Sequence, residues 1–207
     1  MSSLLIAFLL VLLLPLLIAS WRMSLLGLAA QGLLMAWMMV RIAPLSSVAS
    51  LVTLLDLGVV RGLLVPLLLF RVLRSHNAPR RNDVIPPNML SWSLAAILVA
   101  FAFRFAGRVI PIGDEAQTHL AVAATGLLLG LFVLSTQTDA FSQVVGALRI
   151  ENAIALFELG SGKVLAPLPV QIGQLVAFLL TTLLFVSYVD RLRASADPEP
   201  LLVRPSL

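Results

Sequence analysis

One apolar stretch of the chain, DAFSQVVGALRIENAIALFELG from Asp139 to Gly160, is long enough to cross a bilayer, yet it carries strongly polar side chains. These side chains are Arg149, Glu151, Asn152 and Glu158. A charged group near the middle of a membrane helix costs about 2.5–3.5 kcal/mol on insertion scales, so it needs a partner or a path to water. A carboxylate in such a place can exchange a proton. We therefore predict that this helix carries the function of the protein.

The spacing of these charged groups limits which of them can contact one another. Arg149 and Glu151 are two residues apart, so on an α-helix they point to nearly opposite faces and cannot simply neutralise each other. Glu151 and Glu158 are seven residues apart and share a face. We expect the partners of these charges to come from other helices or from other chains.

A second pair of charges, Asp56 and Arg61, lies within another apolar stretch of the chain. The two are five positions apart, so on an α-helix we expect their side chains to diverge. Arg61 and Glu151 each fall near the middle of a predicted span, and an interhelical pair between them would satisfy both groups.

Two main interpretations of an Arg61–Glu151 pair remain open. In the first, it is a static ion pair that fixes the packing of the helices. In the second, Glu151 titrates in a hydrated proton path, and the nearby positive charge of Arg61 adjusts its affinity for the proton. Contact with a partner subunit is a third possibility. Asp56 and Glu158 are further candidates for a proton path, with Glu158 close enough to a helix end to be solvated.

Other polar groups in or near the spans are candidates for supporting roles. Asn152 has an amide that can bond a neighbouring helix, and Gln171 and Gln174 begin the last span, where interfacial or packing roles are favoured. His119 is predicted to be an interfacial residue at the start of the fifth span. Close helix packing is predicted at four glycines. These are Gly58, Gly62, Gly146 and Gly173.

The composition defines the class of protein and excludes several chemistries. The chain has 207 residues, of which 60% are hydrophobic and 12% are charged, and its mean hydropathy is +1.04. Soluble domains carry about 25% charged residues, so we predict an all-α protein in a lipid bilayer. The absence of cysteine excludes an iron–sulfur cluster or a thiolate zinc site within this chain. We find no motif for a metal, a cofactor, nucleic-acid binding or soluble catalysis.

The apolar runs predict about seven transmembrane helices within a domain of residues 1–193, followed by a polar cytoplasmic tail at 194–207. The spans are predicted at 3–20, 24–40, 46–73, 88–105, 118–136, 139–160 and 169–189. If the basic loop after the third span is cytoplasmic, eight arginines lie inside and four basic residues lie outside. This distribution predicts an outside N-terminus and an inside C-terminus.

Three short motifs resemble the hydrogenase-4 component E family. They are Gly146-Ala-Leu-Arg-Ile-Glu151-Asn152, Val60-Arg61-Gly-Leu-Leu-Val-Pro66-Leu and Val170-Gln171-Ile-Gly173. The family consists of membrane subunits of group 4 nickel–iron hydrogenase and formate hydrogenlyase complexes, and it is related to the K subunit of complex I and the C subunit of Mrp antiporters. The length and the number of spans agree over nearly the whole chain.

The resemblance implies a multi-pass subunit of the bacterial cytoplasmic (inner) membrane, packed among antiporter-like and other membrane subunits. It implies a contribution to proton or ion translocation through Glu151, with Arg61 beside it, while the redox centres lie on other subunits, so the chain itself is expected to be non-catalytic. The sequence departs from the family in the last span, where acidic residues are expected and this chain has Gln171 and Ala177. It also departs from the K subunit at Leu148, where that subunit has its first key glutamate. The alternatives are a purely structural scaffold subunit of such a complex and a free-standing small transporter.

Overall fold

The computed structural model describes residues 2–17, 20–42, 46–75, 89–110, 115–136, 140–160 and 166–196. These residues form seven helices and contain no strand. We number the helices α1 (Ser2–Leu17), α2 (Trp21–Ile42), α3 (Val48–Leu54, Leu55–Leu64 and Val65–Ser75 in one continuous run), α4 (Met89–Val109), α5 (Glu115–Thr136), α6 (Ala140–Gly160) and α7 (Leu168–Ala196).

The predicted fold class, an all-α protein with about seven helices of membrane type, is confirmed. Helices α2 to α7 are each long and apolar enough to cross a bilayer, whereas α1 is a shorter apolar helix. Large apolar side chains cover the outside of the bundle, as expected where the surroundings are hydrocarbon. The orientation of the termini stays a prediction.

The last helix is longer than the sequence predicts. Helix α7 continues to Ala196, beyond the predicted end of the last span at 189 and into the tail predicted from 194. The apolar run ends at Val189, but nothing in the following residues breaks a helix before the prolines at 198 and 200. The remainder of the predicted tail, 197–207, lies outside the described residues.

Helix α3 departs from α-helical geometry in its middle. Between Leu55 and Leu64 the backbone is a π-helix, in which hydrogen bonds join residues five apart, and the amide of Val65 donates to the carbonyl of Val60. The proline that follows, Pro66, has no N–H, and its ring displaces the carbonyl four residues earlier, that of Gly62. Regular α-helical hydrogen bonding therefore cannot continue through this turn.

The apolar core consists of two clusters, one toward each end of the bundle. The first joins α1 to parts of α2, α3, α4, α5 and α6, with Leu12, Met35 and Leu156 at its centre. The second joins α2, α3, α6 and α7 around Leu28 and Phe178. The buried polar residues Gln31 and Asn152 fall between these two clusters along α2 and α6.

Helices α2 and α3 are in backbone contact where two glycines face each other. A Cβ atom added to Gly32 would lie 2.5 Å from the backbone nitrogen of Gly62 and 2.7 Å from the carbonyl carbon of Arg61. The predicted close packing is thus confirmed at Gly62, and it also holds at Gly58 and Gly146. It is wrong at Gly173, where the described residues leave open space around an added Cβ.

Replacing Gly32 by alanine should therefore destabilise the fold. The added methyl group meets backbone atoms, which cannot rotate away, so we expect a loss of about 1–3 kcal/mol in the free energy of unfolding. Gly173→Ala is the matched control, because it adds the same methyl group to open space and should be neutral or stabilising by up to about 1 kcal/mol. Unfolding of both variants by denaturing detergent, followed by tryptophan fluorescence, measures the difference. Equal stabilities would contradict this contact.

Candidate functional site

A buried arginine lies at the centre of the bundle. The side chain of Arg61 is 4% exposed, and its Nε donates a hydrogen bond of 2.9 Å to Oδ2 of Asp56 in the same helix. Its Nη1 donates to Oδ1 of Asn152 in α6 at 3.3 Å. The guanidinium carbon lies 4.1 Å from the ring centroid of Phe178 in α7, which adds a cation–π contact. This one side chain thus joins α3, α6 and α7.

The predicted pairing of Arg61 with Glu151 is wrong. Within the described residues, the carboxylate that binds the Arg61 guanidinium is Asp56. We expected Asp56 and Arg61 to diverge because residues five apart do so on an α-helix. In the π-helical segment, residues five apart lie on the same face of the helix, and this allows the two side chains to make contact.

The hydrogen-bonded chain continues from Arg61 into the second helix. Asn152, which is 1% exposed, accepts from Arg61 with its oxygen and donates with Nδ2 to Oε1 of Gln31 at 3.1 Å. Gln31 is fully buried. On α2 it falls between the apolar residues Leu28 and Met35, so the network forms a polar layer between the two apolar clusters. The supporting role predicted for Asn152 is an interhelical hydrogen bond.

A cavity of about 260 Å³ lies beside this network, between α3, α6 and α7. It brings together six of the eight residues that the sequence singled out. They are Asp56, Arg61, Glu151, Glu158, Gln171 and Gln174. Apolar side chains, including those of Ile154 and Phe157, form the rest of the wall. The wall of the cavity is therefore partly acidic and polar and partly apolar.

The cavity occupies one half of the bundle. Its lining residues belong to the first half of α3, the last half of α6 and the beginning of α7. It therefore extends from the end of the bundle where α6 stops and α7 begins toward the middle of the bundle, where Arg61 and Glu151 are its lining residues farthest from that end. In the predicted orientation this end faces the outside.

The two glutamates of α6 share the cavity face, as their spacing predicts. Glu158 accepts a hydrogen bond of 2.8 Å from Nε2 of Gln174, which connects α6 to α7. Glu151 is exposed and forms neither a hydrogen bond nor an ion pair with another residue in the described part of the chain. Its carboxylate is therefore available to water, to a ligand or to a partner chain.

Arg149 and His119 lie away from the cavity. Arg149 is 1% exposed and faces the interior of the bundle, on the side of α6 opposite Glu151, as predicted. His119 was expected at the interface, but it is buried against Gly160, and its Nδ1 lies 3.2 Å from the carbonyl oxygen of Glu115.

Two residues of the network were given no partner by reasoning from the sequence. Gln31 is the one strongly polar side chain in the membrane-spanning part of α2 before Arg41, and that isolation is the signal that could have indicated a polar partner on another helix. Phe178 gave no signal, because one aromatic residue in an apolar span resembles any other core residue.

No family model matches the chain, and neither a curated protein nor a solved structure matches it. The described residues also hold no group of three histidine, cysteine, aspartate or glutamate side chains placed to bind one metal ion. The class of protein is defined by the geometry: a multi-pass helical membrane protein with a buried charge network beside an acidic cavity.

The Asp56–Arg61 pair should make a measurable contribution to stability. Removing one partner leaves the other charge buried, so Asp56→Asn and Arg61→Met should each lower the free energy of unfolding by about 3–5 kcal/mol. In a double-mutant cycle their coupling energy should be about 1–3 kcal/mol.

The matched control replaces Glu151 instead of Asp56. The cycle of Glu151→Gln with Arg61→Met should give a smaller coupling energy than the cycle with Asp56, because neither a hydrogen bond nor an ion pair joins Glu151 to Arg61 within the described residues. A larger coupling energy for Glu151 with Arg61 than for Asp56 with Arg61 would favour the Arg61–Glu151 pair expected from the sequence and contradict the Asp56–Arg61 pair.

Proposed function

We propose that this chain is a membrane subunit of a hydrogenase-4-like or complex-I-like oxidoreductase, and that it contributes to proton translocation through Glu151. The observation that carries the proposal is the cavity, in which carboxylates of α3 and α6 follow one another from one end of the bundle to its middle. A proton entering at Glu158 can reach Glu151 through water held against these polar side chains. Asp56 and Arg61 set the charge at the inner end.

The exposure of Glu151 supports a subunit that works within a complex. A carboxylate at the middle of a membrane helix and open to the outside of the bundle is too costly to face lipid tails, so it requires water or a neighbouring chain. Helices α4 and α7 are also little covered, with 22% and 17% of their spanning residues buried. Such faces suit contact with further membrane subunits.

The motifs around Arg61 and Glu151 that resemble the hydrogenase-4 component E family point to the same type of complex. In this proposal the chain lies in a bacterial inner membrane and contacts antiporter-like subunits, while the redox centres belong to other chains. Copurification of the tagged chain with antiporter-like subunits and a hydrogenase large subunit would support this assembly. Recovery of the chain alone from its native membrane would contradict it.

A structural scaffold is the second candidate function, and one observation favours it. Arg61 is held by Asp56, Asn152 and Phe178, which is the arrangement of a static packing element. In that case the charges of the network fix the helices and Glu151 conducts no proton.

Hydration of the cavity is testable by cysteine labelling, because the chain has no native cysteine. Thr53→Cys places a thiol in the cavity wall, and we expect it to react with a membrane-impermeant methanethiosulfonate reagent, since only a hydrated thiol forms the reactive thiolate. Leu131→Cys is the control, an exposed position outside the cavity wall that should remain unreactive in the bilayer. Equal labelling of both would contradict a water-filled cavity. Labelling from the outside alone would confirm the predicted orientation.

The role of Glu151 is testable with Glu151→Gln in the assembled complex. Glutamine keeps the size of the side chain but cannot release a proton, so we expect redox turnover to persist while proton translocation into vesicles falls by about tenfold or more. Glu115→Gln, at the start of α5 and away from the cavity, should leave translocation unchanged. Normal assembly with unchanged translocation in Glu151→Gln would reject the proton path and favour the scaffold.

A further inference from the structure

The cavity contains two separate groups of hydrogen-bond acceptors. Asp56, which is bonded to Arg61, and Glu151, which lies about two turns of α6 further in than Glu158, form the inner group. Glu158 and Gln171 lie nearer its outer end, because Gln171 precedes Gln174, the partner of Glu158, by about one turn of α7. The two glutamates are seven positions apart on α6, which corresponds to about 10 Å along the helix axis.

Each group includes a buried oxygen atom that accepts no hydrogen bond within the described residues. At the inner end this atom is Oδ1 of Asp56, whose other oxygen binds Arg61. At the outer end it is Oε1 of Gln171, a side chain that is 8% exposed. Buried acceptors are normally supplied with a donor, so both oxygens point to a ligand or to water.

The assignment of the Gln171 amide follows from its other contact. Its Nε2 donates to the carbonyl oxygen of Ala166 at 2.8 Å. A carbonyl oxygen can only accept, so the atom that faces it must be the amide nitrogen. The remaining atom, Oε1, is therefore an acceptor without a donor. Ala166 and Gln171 both line the cavity, so a ligand or water in the cavity can supply that donor.

The charge and shape of the cavity select the kind of ligand. Three carboxylates against one guanidinium in its wall favour a cation. A metal ion fits poorly, because the described acidic residues do not converge on one point. Between the two acceptor groups the wall on α6 is apolar, at Ile154 and Ala155. A cation with two separated charges and an apolar middle matches all of these features.

We propose that the cavity binds a linear aliphatic diammonium ion. One ammonium group donates its hydrogen bonds to Glu151 and Asp56, and the other donates to Glu158 and Gln171. The methylene chain lies along Ile154 and Ala155. An ammonium group has three donors and no acceptor, which suits two sites that consist of acceptors. This proposal rests on the cavity alone and does not depend on the proton path.

The test uses the purified full-length chain in detergent micelles and isothermal titration calorimetry. An α,ω-diaminoheptane has about the length that separates the two glutamates, so it should bind saturably. It should bind more tightly than α,ω-diaminopropane, which is too short, and more tightly than heptylamine, which carries one ammonium group. Equal affinity for heptylamine, or no heat of binding for the long diamine at millimolar concentration, would overturn the proposal.

Two variants test the two ends of the site, and a third is the control. Glu151→Gln and Glu158→Gln should each weaken binding of the long diamine by about 10- to 100-fold, because each removes one charged hydrogen bond. Both glutamates are exposed, so these replacements should leave the fold intact. Glu115→Gln removes the same charge outside the cavity and should leave the affinity unchanged. Unchanged affinity in both cavity variants would show that any diamine bound elsewhere, and would overturn the assignment.

Discussion

The arrangement of the bundle depends on the burial of one guanidinium group. A positive charge at the depth of Arg61 is unfavourable unless its donors are used, and the chain supplies a carboxylate, an amide oxygen and an aromatic ring from three different helices. Each of these contacts fixes the rotation of its helix. One rotation of α6 places both Asn152 and its neighbour in sequence, Glu151. When Asn152 contacts Arg61, Glu151 lines the cavity.

The polar layer and the two apolar clusters have different physical roles. Apolar packing gives little directional preference between helices, since one leucine contact is much like another and lipid is as apolar as the core. The hydrogen bonds of Gln31, Asn152 and Arg61 are directional, so they select one register of α2, α3 and α6. The polar groups thus specify how the helices are placed relative to one another, and the apolar residues pack the space between them.

Much of the fold could be predicted because hydropathy and helical spacing are local properties. The seven helices, the shared face of Glu151 and Glu158 and the opposite direction of Arg149 all follow from residues near one another in the chain. The Asp56–Arg61 pair could not be derived in this way, because the argument assumed α-helical spacing where the backbone is π-helical. The Gln31–Asn152 contact joins residues 121 positions apart, and one sequence gives no means of choosing that partner.

The glycine contact between α2 and α3 has a consequence for motion in the bundle. The backbone of Gly32 lies directly against the peptide that links Arg61 to Gly62, and backbone atoms cannot move aside by changing a rotamer. Sliding or rotation of α3 there would force α2 to follow, so these helices should behave as one stiff unit that holds the arginine stationary. Helix α7 is the least covered of the spanning helices and contacts α6 sparingly. Small movements of the helices should therefore be concentrated in α7. The volume of the cavity should vary with them, while the position of Arg61 stays fixed.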